Sequence, residues 1–300
     1  MSDPAPEAAA SSERTRAGWR RLVTEDGSAT LVDPEGRTCH SLAGAWSQAR
    51  ERYVAGVGLT DRGSGGVVRL LDVGTGFGLN LAAALEACDA AGLALEVVAL
   101  EAARAPLDSA VRAPEPAAGE AHRAVAAALA EALALREQGA PDAVVGLGER
   151  SSLRLLLGDA RATLAALDPA WRCDAVFLDP FAPADDPVLW EPGFLRLVAG
   201  RMDPGARLAT YCAAVAPRAA LVAAGLQVGR LGRVGHKSEG TVAARGGADL
   251  EPLPPRLARR LERRAAALLA SGEEGDSPGP RVPKQPDAPG SVGSPPAQGV

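Results

Sequence analysis

The run Asp179-Pro180-Phe181-Ala182-Pro183, in this 300-residue chain, holds residue types that can bind an amine. A reacting amine must offer its lone pair to an electrophile, so acceptors have to fix its N–H bonds. A carboxylate and a backbone carbonyl do this, and an aromatic face packs what carries the amine. Prolines hold such a loop without conformational change. Asp179 is therefore the candidate catalytic residue, placed to hold the amine and help its proton leave. Phe181, Pro183 and the nearby Trp190 are candidate substrate contacts. The plainer roles are a helix cap or strand-end acid for Asp179 and core packing for Phe181 and Trp190.

A second run, Asp72-Val73-Gly74-Thr75-Gly76-Phe77-Gly78-Leu79-Asn80, follows an apolar stretch. Gly74, Gly76 and Gly78 let a backbone turn tightly and pass close to a ligand, with a helix N-terminus behind them. The G-x-G-x-G spacing differs from the G-x-G-x-x-G that pyrophosphate binding prefers. Glu101 ends the next apolar stretch, where an acid accepts both ribose hydroxyls. Asp159, after a third, is placed to reach an adenine amino group. A glycine loop and two acids at three successive strand ends suit an adenosine that carries no phosphate. The candidate cofactor set is Asp72, Gly74, Thr75, Gly76, Gly78, Asn80, Glu101 and Asp159, the last with helix capping as its competing role.

The elements that must position these residues alternate. Residues 22–32 read as a hairpin turning at Asp26-Gly27. Strands are expected at 67–73, 95–100, 152–157, 175–178, 207–212, 227–231 and 240–244, and helices at 79–91, 121–138, 161–167, 191–202 and 217–224. This order implies a mostly parallel sheet with helices on both faces, its ligands at the carboxyl ends of the strands. Residues 1–17 and 271–300, rich in Pro, Ala, Gly and Ser, are expected to be disordered tails. They flank one domain over 18–270, with a helical insert around 103–148.

Composition removes several classes. A net charge of −5 and an isoelectric point near 5.4 argue against a non-specific nucleic-acid binder, though not against a local basic patch. Two such patches are present: Arg230, Arg233, His236 and Lys237, with Lys237 as a candidate substrate contact, and Arg256, Arg259, Arg260, Arg263 and Arg264. Phosphate contact is their functional reading and a solvated surface the plain one. Cys39, Cys88, Cys173 and Cys212 lie too far apart for a metal or redox motif, so no metal is expected. Neither a secretory h-region nor a membrane-length apolar run occurs, which points to the cytoplasm.

Phe177-Leu178-Asp179-Pro180-Phe181-Ala182-Pro183, with Asp186-Pro187 and Trp190, resembles the F-L-D-x-F-(A/S)-P-x-x-N-P-x-x-W signature of the tRNA 5-methylaminomethyl-2-thiouridine methyltransferases. Thr24-Glu25-Asp26-Gly27-Ser28, His40-Ser41 with Gly44-Ala45, and the strand Leu208-Ala209-Thr210-Tyr211-Cys212-Ala213-Ala214 are similar to further segments of that family. The resemblance spans roughly residues 22 to 245. Three departures stand out: the order within the glycine loop, Asp186 for asparagine, and the segment 235–240. The resemblance implies the class I S-adenosylmethionine-dependent methyltransferase (Rossmann-like) fold, with S-adenosyl-L-methionine as cofactor. It also implies methyl transfer to the 5-aminomethyl group of a wobble 2-thiouridine in tRNA, and a separate FAD-dependent oxidoreductase as partner. Three other readings stay open at this point: a small-molecule N-methyltransferase, an aminopropyltransferase of the same fold, and a catalytically inactive methyltransferase-like protein that binds RNA or protein.

Overall fold

The computed structural model describes residues 18–61, 66–232 and 239–271. The expected tails, apart from Ser271, and Lys237 with its neighbours Arg233 and His236 lie outside the described residues. The hairpin is present as β1 (Arg20–Val23) and β2 (Ala29–Val32), a separate two-stranded antiparallel sheet. A short helix α1 (Ala45–Gln48) follows and widens into a π-helical turn over Ala49–Val54. No element was expected here, although Ala45, Ala49 and Tyr53 recur at a spacing of four and all three are buried.

The main sheet has eight strands. In chain order these are β3 (Val67–Val73), β4 (Ala94–Glu101), β5 (Val144–Leu147), β6 (Ser151–Leu157), β7 (Cys173–Leu178), β8 (Met202–Thr210), β9 (Gln227–Leu231) and β10 (Gly240–Ala244). In space the order is β5-β6-β4-β3-β7-β8-β10-β9. The run β6-β4-β3-β7-β8 is parallel, while β5, β10 and β9 join antiparallel at the edges. The helices are α2 (Leu79–Ala90), α3 (Arg104–Arg112), α4 (Gly119–Glu137), α5 (Ala160–Ala166), α6 (Pro192–Arg201), α7 (Val215–Ala223) and α8 (Pro255–Ala270).

The central strands are apolar on both faces because both are covered. Val68 and Leu70 of β3 join the core built with α2 and α4, whereas Leu71 and Val73 join the opposite core with α5, α6 and α7. Two expectations needed correction. Strand β8 begins at Met202, before Pro204-Gly205, where a helix was expected to end. Gly205 N–H donates to Arg245 O at 2.6 Å, so the Pro-Gly pair turns inside the strand rather than ahead of it. Strand β5 was not expected, and helix α3 lies within the expected helical insert but had no expected bounds of its own. The first has four residues including Gly146, and the second carries Pro106, both weak local signals.

Chain direction reverses across β3. Strand β4 lies on one side and β7 on the other, so their carboxyl ends open a crevice at the switch point. The glycine run after β3, Glu101 at the end of β4, Asp159 after β6 and Asp179 after β7 all emerge at this edge.

Candidate active site

A cavity of about 860 Å³ opens at these strand ends, within the usual range of roughly 300–1,000 Å³ for small-molecule sites. Gly74, Gly76, Glu101, Asp159, Asp179 and Phe181 all line it. The wall also carries Asp185 and Asp186, opposed among the described residues only by Arg37 and Arg161. Both arginines are already paired, Arg37 with Asp33 and Glu35, and Arg161 with Asp159. The lining is therefore net acidic and favours a cationic ligand.

The two loops singled out in the sequence touch. A Cβ on Gly74, whose φ is +85°, would stand 2.7 Å from the Asp179 carbonyl oxygen. Only glycine lets the loop after β3 press against the loop after β7. Asp179 is 8% exposed. Its backbone N–H continues the sheet to Val73 O, and its Oδ2 accepts from Asn80 Nδ2 at 2.8 Å. Asn80, in the first turn of α2, thus acts through Asp179 and does not itself line the cavity. The Tyr53 phenol is pushed well up by its burial, and the nearby Asp179 carboxylate adds to that shift.

Glu101 braces the glycine loop. Its Oε2 accepts from Gly76 N–H at 2.7 Å and its Oε1 from Ala103 N–H at 2.8 Å. Burial raises its pKa against these stabilising bonds. Each oxygen keeps acceptor capacity for a hydroxyl group. Asp159 lines the same cavity but caps α5, accepting from Arg161 N–H at 2.9 Å and holding the Arg161 guanidinium. The Arg161 pair lowers its pKa. Any contact with adenine competes with that pair.

Several other candidates do not reach the cavity. Thr75, at 1% exposure, and Gly78 form the wall behind the loop, and Gly78 gives room to Val125 and His122. Pro183 is half-buried beyond the lining, and Trp190 is buried, its indole N–H donating to Phe181 O at 2.8 Å. The Tyr211 hydroxyl donates to Pro180 O at 2.8 Å, and the Trp190 and Tyr211 rings meet edge to face. These two aromatics clamp successive carbonyls of the reactive loop. Trp190 is thus a positioning residue, and Tyr211 was visible only as part of the strand run 208–214.

Asp72 is fully buried, with the Thr75 hydroxyl beside its carboxylate. It supports the loop from below and cannot touch a ligand in the cavity. Burial raises its pKa to about 8, with Thr75 offsetting only part of the shift. An acid whose folded pKa exceeds its ordinary 3.8 loses folding stability as pH rises through that window, up to about 8. Asp72→Asn, which cannot ionise, is expected to melt at or above the wild-type temperature at pH 8.5, with the gain shrinking toward pH 4. Thermal melts across that range check this, and a less stable variant at pH 8.5 contradicts it.

His122 was not singled out in the sequence. It is fully buried on α4, its Nδ1 accepts from Glu115 N–H at 2.6 Å, and its Nε2 lies 2.7 Å from Phe77 O. These partners assign the proton to Nε2, which donates to the glycine loop. The Glu115 carboxylate bonds Arg21 and the Ala29 N–H, so it ties the hairpin to the same network. Burial lowers the His122 pKa, the Glu115 charge opposes that shift and Arg21 reinforces it. The neutral ring's contribution is thus complete above the ordinary value of 6.5 and lost as pH falls below it toward the folded pKa. The melting temperature is expected to fall over that interval, with a flatter slope in His122→Gln. Equal slopes would remove His122 as the cause.

Comparison with known proteins identifies the chain's relatives. Residues 120–246 match a family described as S-adenosyl-L-methionine-dependent methyltransferase. The tRNA 5-methylaminomethyl-2-thiouridine biosynthesis bifunctional protein MnmC of Ralstonia nicotianae is 36% identical over 213 residues, 68% of this chain and 31% of that protein. The protein of the same name from Pseudomonas aeruginosa is 33% identical over 255 residues, 76% of this chain and 36% of that one. The chain therefore spans about a third of the length of these curated relatives. The crystal structure of MnmC2 from Aquifex aeolicus superposes with a TM-score of 0.64 at 30% identity, covering 82% of this chain and 76% of that one.

Proposed function

We propose that this chain, which belongs to the MnmC family of S-adenosyl-L-methionine-dependent methyltransferases through its methyltransferase half, MnmC2, methylates the 5-aminomethyl group of a wobble 2-thiouridine in tRNA. The observation that carries this reading is the contact of the Gly74 loop with the Asp179 loop at the mouth of an acidic cavity. One loop suits a sulfonium cofactor and the other an amine, and the contact between the loops supports sites that lie side by side.

The residues present fit the cofactor. Gly74 and Gly76 leave the cavity wall without side chains at the loop, and Glu101 offers acceptors to the ribose diol. The excess of carboxylates suits a molecule with both a sulfonium and an ammonium group. When bound, S-adenosyl-L-methionine supplies an electrophilic methyl on a good, neutral leaving group, so the protein's task is positioning and water exclusion. Asp179 holds the substrate ammonium, accepts its proton and leaves the lone pair free to attack. Asn80 fixes the Asp179 carboxylate through its Oδ2, while Tyr211 and Trp190 fix the carbonyls of Pro180 and Phe181.

Substrate RNA needs local positive charge. Arg256, Arg259, Arg260, Arg263 and Arg264 are all exposed on α8 and suit phosphates. Arg230 is engaged by Glu239 and Glu251 and fits that part less well. The reading includes an FAD-dependent oxidoreductase as partner. It also assigns the chain to the cytoplasm, and among the described residues no helix is long and apolar enough to cross a membrane. The curated relatives named above are tRNA-biosynthesis proteins at 33–36% identity, which favours a tRNA amine over a free small amine or an aminopropyl transfer, and the engaged, cavity-lining Asp179 argues against an inactive scaffold. Nucleoside analysis of tRNA from a strain lacking the gene tests the proposal. The aminomethyl nucleoside should accumulate at the expense of its methylated form, and an unchanged nucleoside profile would refute it.

A further inference from the structure

We infer that Arg37 is the platform on which the substrate's pyrimidine base stacks, a subsite that deepens the reading above and rests on it. The guanidinium carbon of Arg37 lies 4.4 Å from the centroid of the Phe181 ring, over its face. Phe181 was the expected packing surface for the base, and Arg37 already covers it. Both residues line the cavity, and the Arg37 side chain keeps 32% of its surface. A ligand entering at this end meets the exposed part of the Arg37 side chain.

The guanidinium is held in place from three sides. Its Nε donates to Asp33 Oδ2 at 2.5 Å and its Nη2 to Glu35 Oε2 at 3.2 Å, with Phe181 beneath. Asp33 Oδ1 also accepts from the Arg37 backbone N–H at 2.7 Å. The tight turn 33–37, with Gly36 at φ +87°, closes on itself through Asp33 N–H to Arg37 O. Two carboxylates neutralise the cation, and Asp185 and Asp186 stand nearby on the cavity wall. A phosphate would meet net repulsion here. A flat, polarisable ring finds a rigid plane whose ordering cost has already been met by the turn. Guanidinium planes stack on aromatic rings and on splayed-out bases for this reason. Arg37 packs on Phe181, two residues after Asp179, which favours the substrate base over the cofactor's adenine.

The experiment uses full-length Arg37→Ala, Arg37→Lys and Arg37→Tyr with three readouts: steady-state kinetics on aminomethyl tRNA, cofactor calorimetry, and fluorescence of an anticodon stem–loop carrying 2-aminopurine at the wobble position. Arg37→Ala is expected to raise KM about 10-fold, the scale of losing one stacked base, with kcat changed less than about threefold and cofactor affinity unchanged. Arg37→Lys keeps the charge but loses the plane and should behave like alanine. Arg37→Tyr restores a plane and should recover most of the KM. Binding should quench the fluorophore with the wild type and Arg37→Tyr but not with Arg37→Ala or Arg37→Lys. A lysine variant with wild-type KM would make Arg37 a charge contact and overturn the proposal. Weakened cofactor binding in Arg37→Ala would assign the plane to adenine, and a lowered melting temperature with proportionate loss of every readout would reduce Arg37 to a turn anchor. If Arg37→Ala keeps its KM while the wild type methylates tRNA, the platform alone fails. If the wild type methylates no tRNA, the functional reading fails first and the platform with it.

Discussion

Asp179→Ala is expected to lower turnover by about 100-fold or more while leaving cofactor affinity nearly unchanged, the scale of losing positioning and proton transfer together. Asp179 lines the cavity and its Oδ2 is held by the Asn80 amide, from the first turn of another element. Its removal therefore leaves the loop clamped by Tyr211 and Trp190. Asn80→Ala should lower kcat less, because it frees the carboxylate without deleting it. Single-turnover rates and calorimetry on the same preparations check both variants. Stability, cofactor affinity and activity falling in step in Asp179→Ala would make the residue a structural acid.

Glu101→Ala is expected to weaken S-adenosyl-L-methionine binding by about 1–3 kcal/mol, roughly 5- to 150-fold. Two losses combine. The ribose acceptors disappear, and the N–H groups of Gly76 and Ala103 lose the carboxylate that orders them. Glu101→Gln keeps one acceptor oxygen and should fall between. With cofactor saturating, kcat of Glu101→Ala should stay within a few-fold of wild type, because Glu101 is not on the reactive loop. Unchanged affinity on calorimetry would remove Glu101 from the ribose site.

The parallel core of the sheet was legible because β3, β4, β6 and β7 are largely apolar runs that end at a glycine or an acid. Strand β3 matches its expected bounds, and β9 and β10 do as well. The alternation of strands and helices is enough to put Gly74, Glu101, Asp159 and Asp179 at one edge, since each follows the carboxyl end of a parallel strand. The parts that were not legible depend on which side of a wall a residue takes. Asp72 and Asn80 belong to the same glycine run as Gly74 and Gly76, yet tertiary packing turns them under the loop. No spacing rule distinguishes the two sides. Trp190 belongs to a recognisable signature, but that signature does not say whether the indole meets a ligand or a carbonyl. His122, Glu115 and Arg37 were missed because their partners lie far away in sequence or on another loop. His122 bonds Phe77, 45 residues away, and Glu115 bonds Ala29, 86 residues away. One local cue was present: Asp33 and Arg37 are four residues apart around Gly36, the pattern of a turn closed by its own ion pair.

The central claim is that this cavity brings a methyl donor and a tRNA-borne amine together at Asp179. The most direct measurement incubates the purified chain with methyl-labelled S-adenosyl-L-methionine and tRNA bearing 5-aminomethyl-2-thiouridine, then digests the tRNA to nucleosides. The label is predicted in 5-methylaminomethyl-2-thiouridine, one methyl per wobble nucleoside, and Asp179→Ala should abolish nearly all of it. Label in another nucleoside, in no nucleoside at all, or undiminished in Asp179→Ala would contradict the account.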